Sequence, residues 1–306
     1  MAISKKQSDA FWALKAFAIF TVFFAHMPGH LYNAVIFDRI GLIGVPLFML
    51  CAGFFYERGR EASFLDYFSK KLYTIIIPWI VWGTITFFIH CLKESTFGVL
   101  TYLKWILGIG TWLYFVPVLL CCQILFRYIN NVVLLVLGLV SMFLSVFHII
   151  PYNEIFTPYV NPFNFIGYFA IGNYLHTYDK WMSIKPIGGC GMVIVSILLI
   201  CLFKPVYWYP YTLVTSAVLL IGLFSIHQAF NCSFVSPIGK VSFVIYLSHI
   251  QIAGFVNQML SGLWGTLFEF LKVIVAFILA TLLVIGLKKL LRVLKMDSLE
   301  RYLGYR

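Results

Sequence analysis

Long apolar runs alternate with short polar connections along the whole chain. The runs lie at residues 11–27, 40–56, 72–92, 112–126, 132–150, 163–176, 187–203, 207–230, 241–260 and 267–287. A helix crossing a bilayer takes about 20 residues to span a hydrocarbon core of about 30 Å. The pattern therefore predicts an all-α, polytopic membrane protein of about ten transmembrane helices. Residues 1–292 would form the transmembrane domain and 293–306 a short basic tail, with no separate soluble domain. Runs 112–126 and 163–176 are short and need tilt or local thinning of the bilayer. Residues 99–109, with Tyr102, Lys104 and Trp105, suit an interfacial or re-entrant position. The first run differs from a cleaved signal peptide, because Met27, Pro28, Gly29 and His30 do not form a small-residue cleavage site and nine similar runs follow.

Composition agrees. The chain is 62% hydrophobic and 11% charged, against roughly 45–50% and 25% in soluble domains, so a soluble globular protein is excluded. The net charge of +11 then points to lipid and topology instead of nucleic acid. With ten spans and the N-terminus inside, sixteen Lys and Arg fall in inner loops and five in outer ones (Arg39, Lys93, Lys104, Lys204 and Lys272), while Lys15 sits within the first run. That asymmetry predicts cytoplasmic N- and C-termini in a multi-pass cell membrane protein. The tail from Lys288 onward alternates apolar and basic residues, as an amphipathic helix on the inner leaflet would. The seven cysteines lie almost entirely in apolar runs without ligand spacing, so they are assigned to packing, and no metal site is expected. No paired broken segments stand out, which weighs against inverted-repeat transporters.

Titratable side chains inside spans are costly and mark candidate sites. Lys15 and His26 are eleven positions apart, which places them about 20° from alignment on one helix face and roughly 16 Å apart along the axis. Two accounts stand for this pair: snorkelling to the two interfaces, or a cation that meets an anionic ligand below a histidine that moves protons above. Arg58, Arg60, Lys70 and Lys71 follow the second run; they serve either inner-side anchoring or phosphate contacts, and Lys70 and Lys71 stand nearest to a span. Ser242, Tyr246 and His249 share one helical stripe, suited to interhelical hydrogen bonds or to a site. His90, His148, His176 and His227 lack such company and are assigned to structure. There is no GxSxG elbow, HExxH or Walker-type loop.

In order along the chain, FWALKAFAIFTVFFAH (Phe11–His26), GVPLFMLCAGFF, YFSKKLYTIIIPW, TWLYFVPVLL, FNFIGYFAIGNYL and GKVSFVIYLSH resemble the motifs of the acyltransferase 3 family of integral membrane O-acyltransferases. Lys15 stands where that family usually has Arg, Cys51 and Ala52 where it tends to have Ser, and Thr74 in place of a second basic residue. The resemblance implies transfer of an acyl group, most often acetyl, from cytoplasmic acyl-CoA to a hydroxyl of a polysaccharide or lipid-linked sugar at the outer face. Acetyl-CoA would be a co-substrate, with no permanently bound cofactor. It further implies His26 as general base, Lys15, Lys70 and Lys71 on the donor, and Ser242, Tyr246 or His249 as oxyanion donor or site support. Candidate partners are the glycan acceptor, membrane lipid and other envelope glycan assembly proteins. Rival readings are a transporter or flippase of a lipid-linked saccharide, and an assembly subunit without chemistry. Trp112, Tyr114, Tyr207, Trp208 and Tyr209 could stack on sugar rings or form an interfacial belt.

Overall fold

The computed structural model describes residues 3–26, 35–56, 63–94, 97–147, 149, 152–153, 155–230, 233–263 and 265–305. Every regular element among them is helical. The helices are α1 (Lys5–His26), α2 (Val35–Gly41), α3 (Gly44–Phe54), α4 (Phe64–Lys71), α5 (Ile77–Glu94), α6 (Val99–Ile106), α7 (Phe115–Leu125), α8 (Asn131–Val146), α9 (Ile166–Thr177), α10 (Pro186–Leu202), α11 (Pro210–Phe230), α12 (Ser236–Met259), α13 (Thr266–Val293) and α14 (Asp297–Tyr302). Each predicted apolar run holds one of the longer helices. Five helical stretches are long and apolar enough to cross a membrane: Lys5–His26, Phe64–Glu94, Pro210–Phe230, Ser233–Met259 and Leu267–Val293. Large apolar side chains stay exposed on α8 (Val136, Val140, Phe143), α10 (Ile194, Leu198) and α13 (Ile278, Leu282). Such bare apolar faces belong against lipid, so this is a helical membrane protein.

α1 is the hub. Its Phe11 ring meets Phe54, Phe55, Trp181 and Phe224, which brings α3 and α11 around it. Its other flank lies against α12, at a separation only glycine permits: a Cβ on Gly239 would sit 1.9 Å from the Trp12 carbonyl oxygen. That contact aligns the Lys15–His26 face of α1 with the Ser242–His249 stripe of α12. The run at 72–92 begins differently from its prediction, because α4, a π-helical turn over Leu72–Ile76 and α5 are continuous. Pro78 has no N–H and its ring would clash with the carbonyl one turn back, and a widened turn is a common way to absorb both problems. Lys70 and Lys71 thus end one helix that feeds directly into the next.

Two expectations change. Lys272 does not lie in an outer loop: it is in the second turn of α13, buried, and donates to Glu269 Oε1 at 2.8 Å. A buried ammonium requires such a partner, and Glu269 supplies it from the preceding turn. The basic tail also departs from a single surface helix. α13 ends where Lys295 adopts φ +56° and Met296 N–H bonds to Leu291 O, and α14 then folds back. Trp82 Nε1 donates to Leu303 O at 3.1 Å, and buried Tyr305 donates its hydroxyl to Val284 O at 2.9 Å. Glu300 is clasped by Arg292 at 3.0 Å and Lys288 at 3.5 Å.

The hydrogen bonds from Arg292 hold the Glu300 carboxyl below its usual pKa, Lys288 assisting and partial burial opposing. A lowered folded-state value means that this clasp is at full strength above the ordinary carboxylate pKa of about 4.3 and is lost as pH falls through the folded value. Acidification below about pH 4, or Glu300→Gln at neutral pH, is therefore expected to lower the amide protection factors, taken against the intrinsic exchange rate at each pH, across residues 297–305. Unchanged protection would show that Tyr305 and Trp82 hold the tail alone.

Candidate active site

Two cavities border α1, one on its seam with α12 and the other at its His26 end. The first, of about 430 Å³, is lined by Lys15, Lys70, Lys71 and Lys240 together with Trp12, Phe55, Tyr67, Thr74, Ser242 and Tyr246. It brings together all three predicted donor lysines from elements far apart in the chain. Lys15 Nζ stands 4.7 Å from the Trp12 ring centre and 5.1 Å from that of Phe55, so its ammonium lies against aromatic faces. Lys71 lies 5.0 Å from the Tyr67 ring centre, and the buried Arg127 covers the same ring at 4.4 Å. Thr74, one turn beyond Lys70, donates to Lys70 O at 2.7 Å. Ser242 donates to Gly239 O at 2.8 Å, so its hydroxyl proton is committed to its own helix.

Lys240 was counted in the sequence as an inner-loop charge. It stands two residues before Ser242 in GKVSFVIYLSH, and that proximity was the available signal. Gly304 also lines this cavity, so the folded-back tail contributes to its wall. No sequence pattern announced that contact. Arg58 and Arg60 lie outside the described residues, as does His148.

The second cavity, of about 710 Å³, holds His26 within an aromatic wall of Trp105, Trp112, Tyr114, Tyr159 and Tyr207. Trp208 and Tyr209 are not in that wall. The chain leaves α6 through Gly108 at φ +78°, where a Cβ would meet the Tyr114 backbone nitrogen at 2.1 Å; this turn sets the Trp112–Tyr114 3₁₀ segment against the cavity. Pro158, also in this wall, is fixed by Asn164, whose Nδ2 donates to Pro158 O at 2.6 Å.

Between the cavities lies the upper part of the α12 stripe. His249 is fully buried and its ring centre is 5.0 Å from that of His26. Its Nδ1 is 2.5 Å from Tyr246 O; a carbonyl only accepts, so Nδ1 carries the hydrogen and Nε2 of the neutral ring is left as an acceptor. That Nε2 is buried and has no hydrogen-bond partner among the described residues. The Tyr246 hydroxyl donates to Trp112 O. Tyr246 is thus tied up in this state, whereas His249 offers a lone pair beside His26.

The site so assembled has a cationic chamber, a pair of histidines of which His249 is buried and His26 half-buried, and an aromatic chamber. No curated protein and no solved structure matches the chain. The acyltransferase 3 family model, an acyltransferase domain, matches residues 9–288, a segment that holds Lys15, His26, Lys70, Lys71, Ser242, Tyr246 and His249, and the chain belongs to that family of membrane acyltransferases.

Proposed function

We propose that the protein is an O-acetyltransferase that takes acetyl from cytoplasmic acetyl-CoA and passes it to a hydroxyl of a polysaccharide or lipid-linked sugar at the outer face. In this reading the chain makes ten crossings with both termini inside, so the lysine chamber opens to the cytoplasm and the His26 chamber to the exterior. The observation that carries it is the division of labour along α1: Lys15 lies in a chamber with three further lysines, and His26 lies in another chamber. Their spacing of roughly 16 Å suits a donor whose phosphates lie low and whose thioester reaches up on an extended arm.

Chemically, His26 accepts the proton of the acceptor hydroxyl as that oxygen attacks the thioester carbonyl. The tetrahedral intermediate collapses to the ester, the C–S bond breaks, and the proton leaves with the sulfur as free thiol. His249 acts through His26. Its bare Nε2 can accept the N–H of the His26 ring, which leaves the other His26 nitrogen unprotonated for the acceptor. The aromatic wall offers the flat apolar faces on which sugar rings stack, and Tyr114, Tyr159 and Tyr207 bring hydroxyls for sugar hydroxyls.

Surface glycans from cells with and without the gene test this directly. The expected difference is an alkali-labile, ester-linked acetyl group present only with the gene. Identical glycans, in cells shown to accumulate the protein, would remove the proposed acceptor.

A further inference from the structure

The two chambers have no lining residue in common. Tyr246 lines the lysine chamber, and its hydroxyl donates to the carbonyl of Trp112, which lines the His26 chamber. The Phe115 ring packs on the Tyr246 ring at 5.3 Å and His249 stacks on it at 5.6 Å, while Trp112 meets His249 edge-on at 6.2 Å. One tyrosine hydroxyl thus joins the two linings at the boundary between the cationic side and the base. A thioester entering from the lysine chamber has to pass that boundary to meet His26.

We infer that Tyr246 is a specificity-determining gate with two alternative acceptors for one proton. With no donor in place its O–H is held by Trp112 O and the chambers are separate. When an acyl thioester arrives, the O–H leaves Trp112 O and donates to the thioester carbonyl oxygen, which opens the boundary and stabilises the oxyanion that develops there. Opening and activation are the same movement. Once the tyrosine has left, the Trp112 carbonyl can accept a hydrogen bond from the acceptor hydroxyl instead.

A gate of this kind matters because a permanently open seam would admit water to the thioester and ions across the bilayer. Water attacks the thioester carbonyl as a sugar hydroxyl does, giving acetate, free CoA thiol and a proton. Shielding the thioester until it is gripped therefore sets the ratio of transfer to hydrolysis. This inference rests on the acyl-CoA reading above.

Tyr246→Phe keeps the ring packing against Phe115 and His249 and removes only the hydroxyl. In nanodiscs with acetyl-CoA and the acceptor glycan, the kcat for transfer is expected to fall about 10²- to 10³-fold, the range for loss of one oxyanion donor. CoA released per acetyl transferred is expected to rise above the wild-type ratio. Access is read separately: in a chain whose seven native cysteines are replaced, a cysteine introduced by Ala52→Cys, in the wall of the lysine chamber, is expected to react faster with a membrane-impermeant thiol reagent added from the exterior once Tyr246 is Phe. Wild-type kcat and CoA-to-acetyl ratio in Tyr246→Phe would overturn the proposal, and a loss of kcat with unchanged labelling would overturn the gate. If the acyl-CoA reading itself were wrong, the wild-type protein would release no CoA, which none of these outcomes resembles.

Discussion

His26→Ala is expected to abolish acetylation of the glycan while the protein still inserts and accumulates normally. The reason is chemical. A sugar hydroxyl is a weak nucleophile near neutral pH and gains reactivity when its proton is removed as it attacks; a positioned base contributes about 10²- to 10⁴-fold. Among the described residues, His26 is the one titratable side chain in the wall of the aromatic chamber whose unperturbed pKa lies near neutrality. It sits at the last residue of α1 and is half-buried. Truncation there removes one ring contact, to His249, at the end of a helix and is expected to cost little stability. The measurement is ester-linked acetyl on surface glycan, normalised to protein recovered from the membrane. Acetylation at the wild-type level in His26→Ala would sink the general-base assignment. The companion variant His249→Ala separates base from positioner. It leaves His26 in place but takes away the lone pair proposed to orient it, so a smaller drop in kcat is expected together with unchanged acetyl-CoA affinity.

Much of this was legible in the residues alone, for reasons that differ from element to element. Apolar runs mark helices because backbone groups in lipid have to be satisfied within the chain, and each run did contain a helix. Lys15 and His26 were visible as a pair because helical periodicity is rigid: eleven steps along one helix fix both face and separation. The Ser242, Tyr246 and His249 stripe was visible for the same reason, but the stripe did not reveal that its members divide between chamber wall and histidine pair. That division depends on Trp112, a residue 134 positions from Tyr246. Lys240 joins Lys70 and Lys71 only through the crossing at Gly239 and the continuous α4–α5 helix. The tail failed for another reason. Alternating apolar and basic residues describe equally a helix on a lipid surface and one that turns back on the protein, and what decides between them is Lys295 in a left-handed turn and the Trp82–Leu303 bond.

Neutralising the lysine chamber is expected to produce the opposite kinetic signature to His26→Ala. Acyl-CoA carries its phosphates at the end remote from the reacting thioester, so their contacts are made equally in the ground state and the transition state. Losing them raises KM and leaves kcat near wild type. Lys15 should dominate. It is half-buried against Trp12 and Phe55, where an ion contact is screened less than at the exposed Lys70 and Lys240. A hydrogen bond to a charged group contributes about 1.5–3 kcal/mol, and 1.4 kcal/mol is tenfold in affinity, so Lys15→Met is expected to weaken acetyl-CoA binding about 10- to 100-fold. Lys70→Met and Lys240→Met should each cost only a few-fold, in the manner of exposed ion pairs. Lys15→Arg restores a cation with a planar fork suited to phosphate and to the same aromatic faces, so it should retain binding or improve it. Titration of acetyl-CoA into protein held in nanodiscs reads all four variants at two salt concentrations. Wild-type affinity in Lys15→Met would place the phosphates elsewhere. A fall in kcat without a change in affinity would move Lys15 from donor binding to chemistry, and the separation of a cationic donor end from a histidine reaction end would then fail.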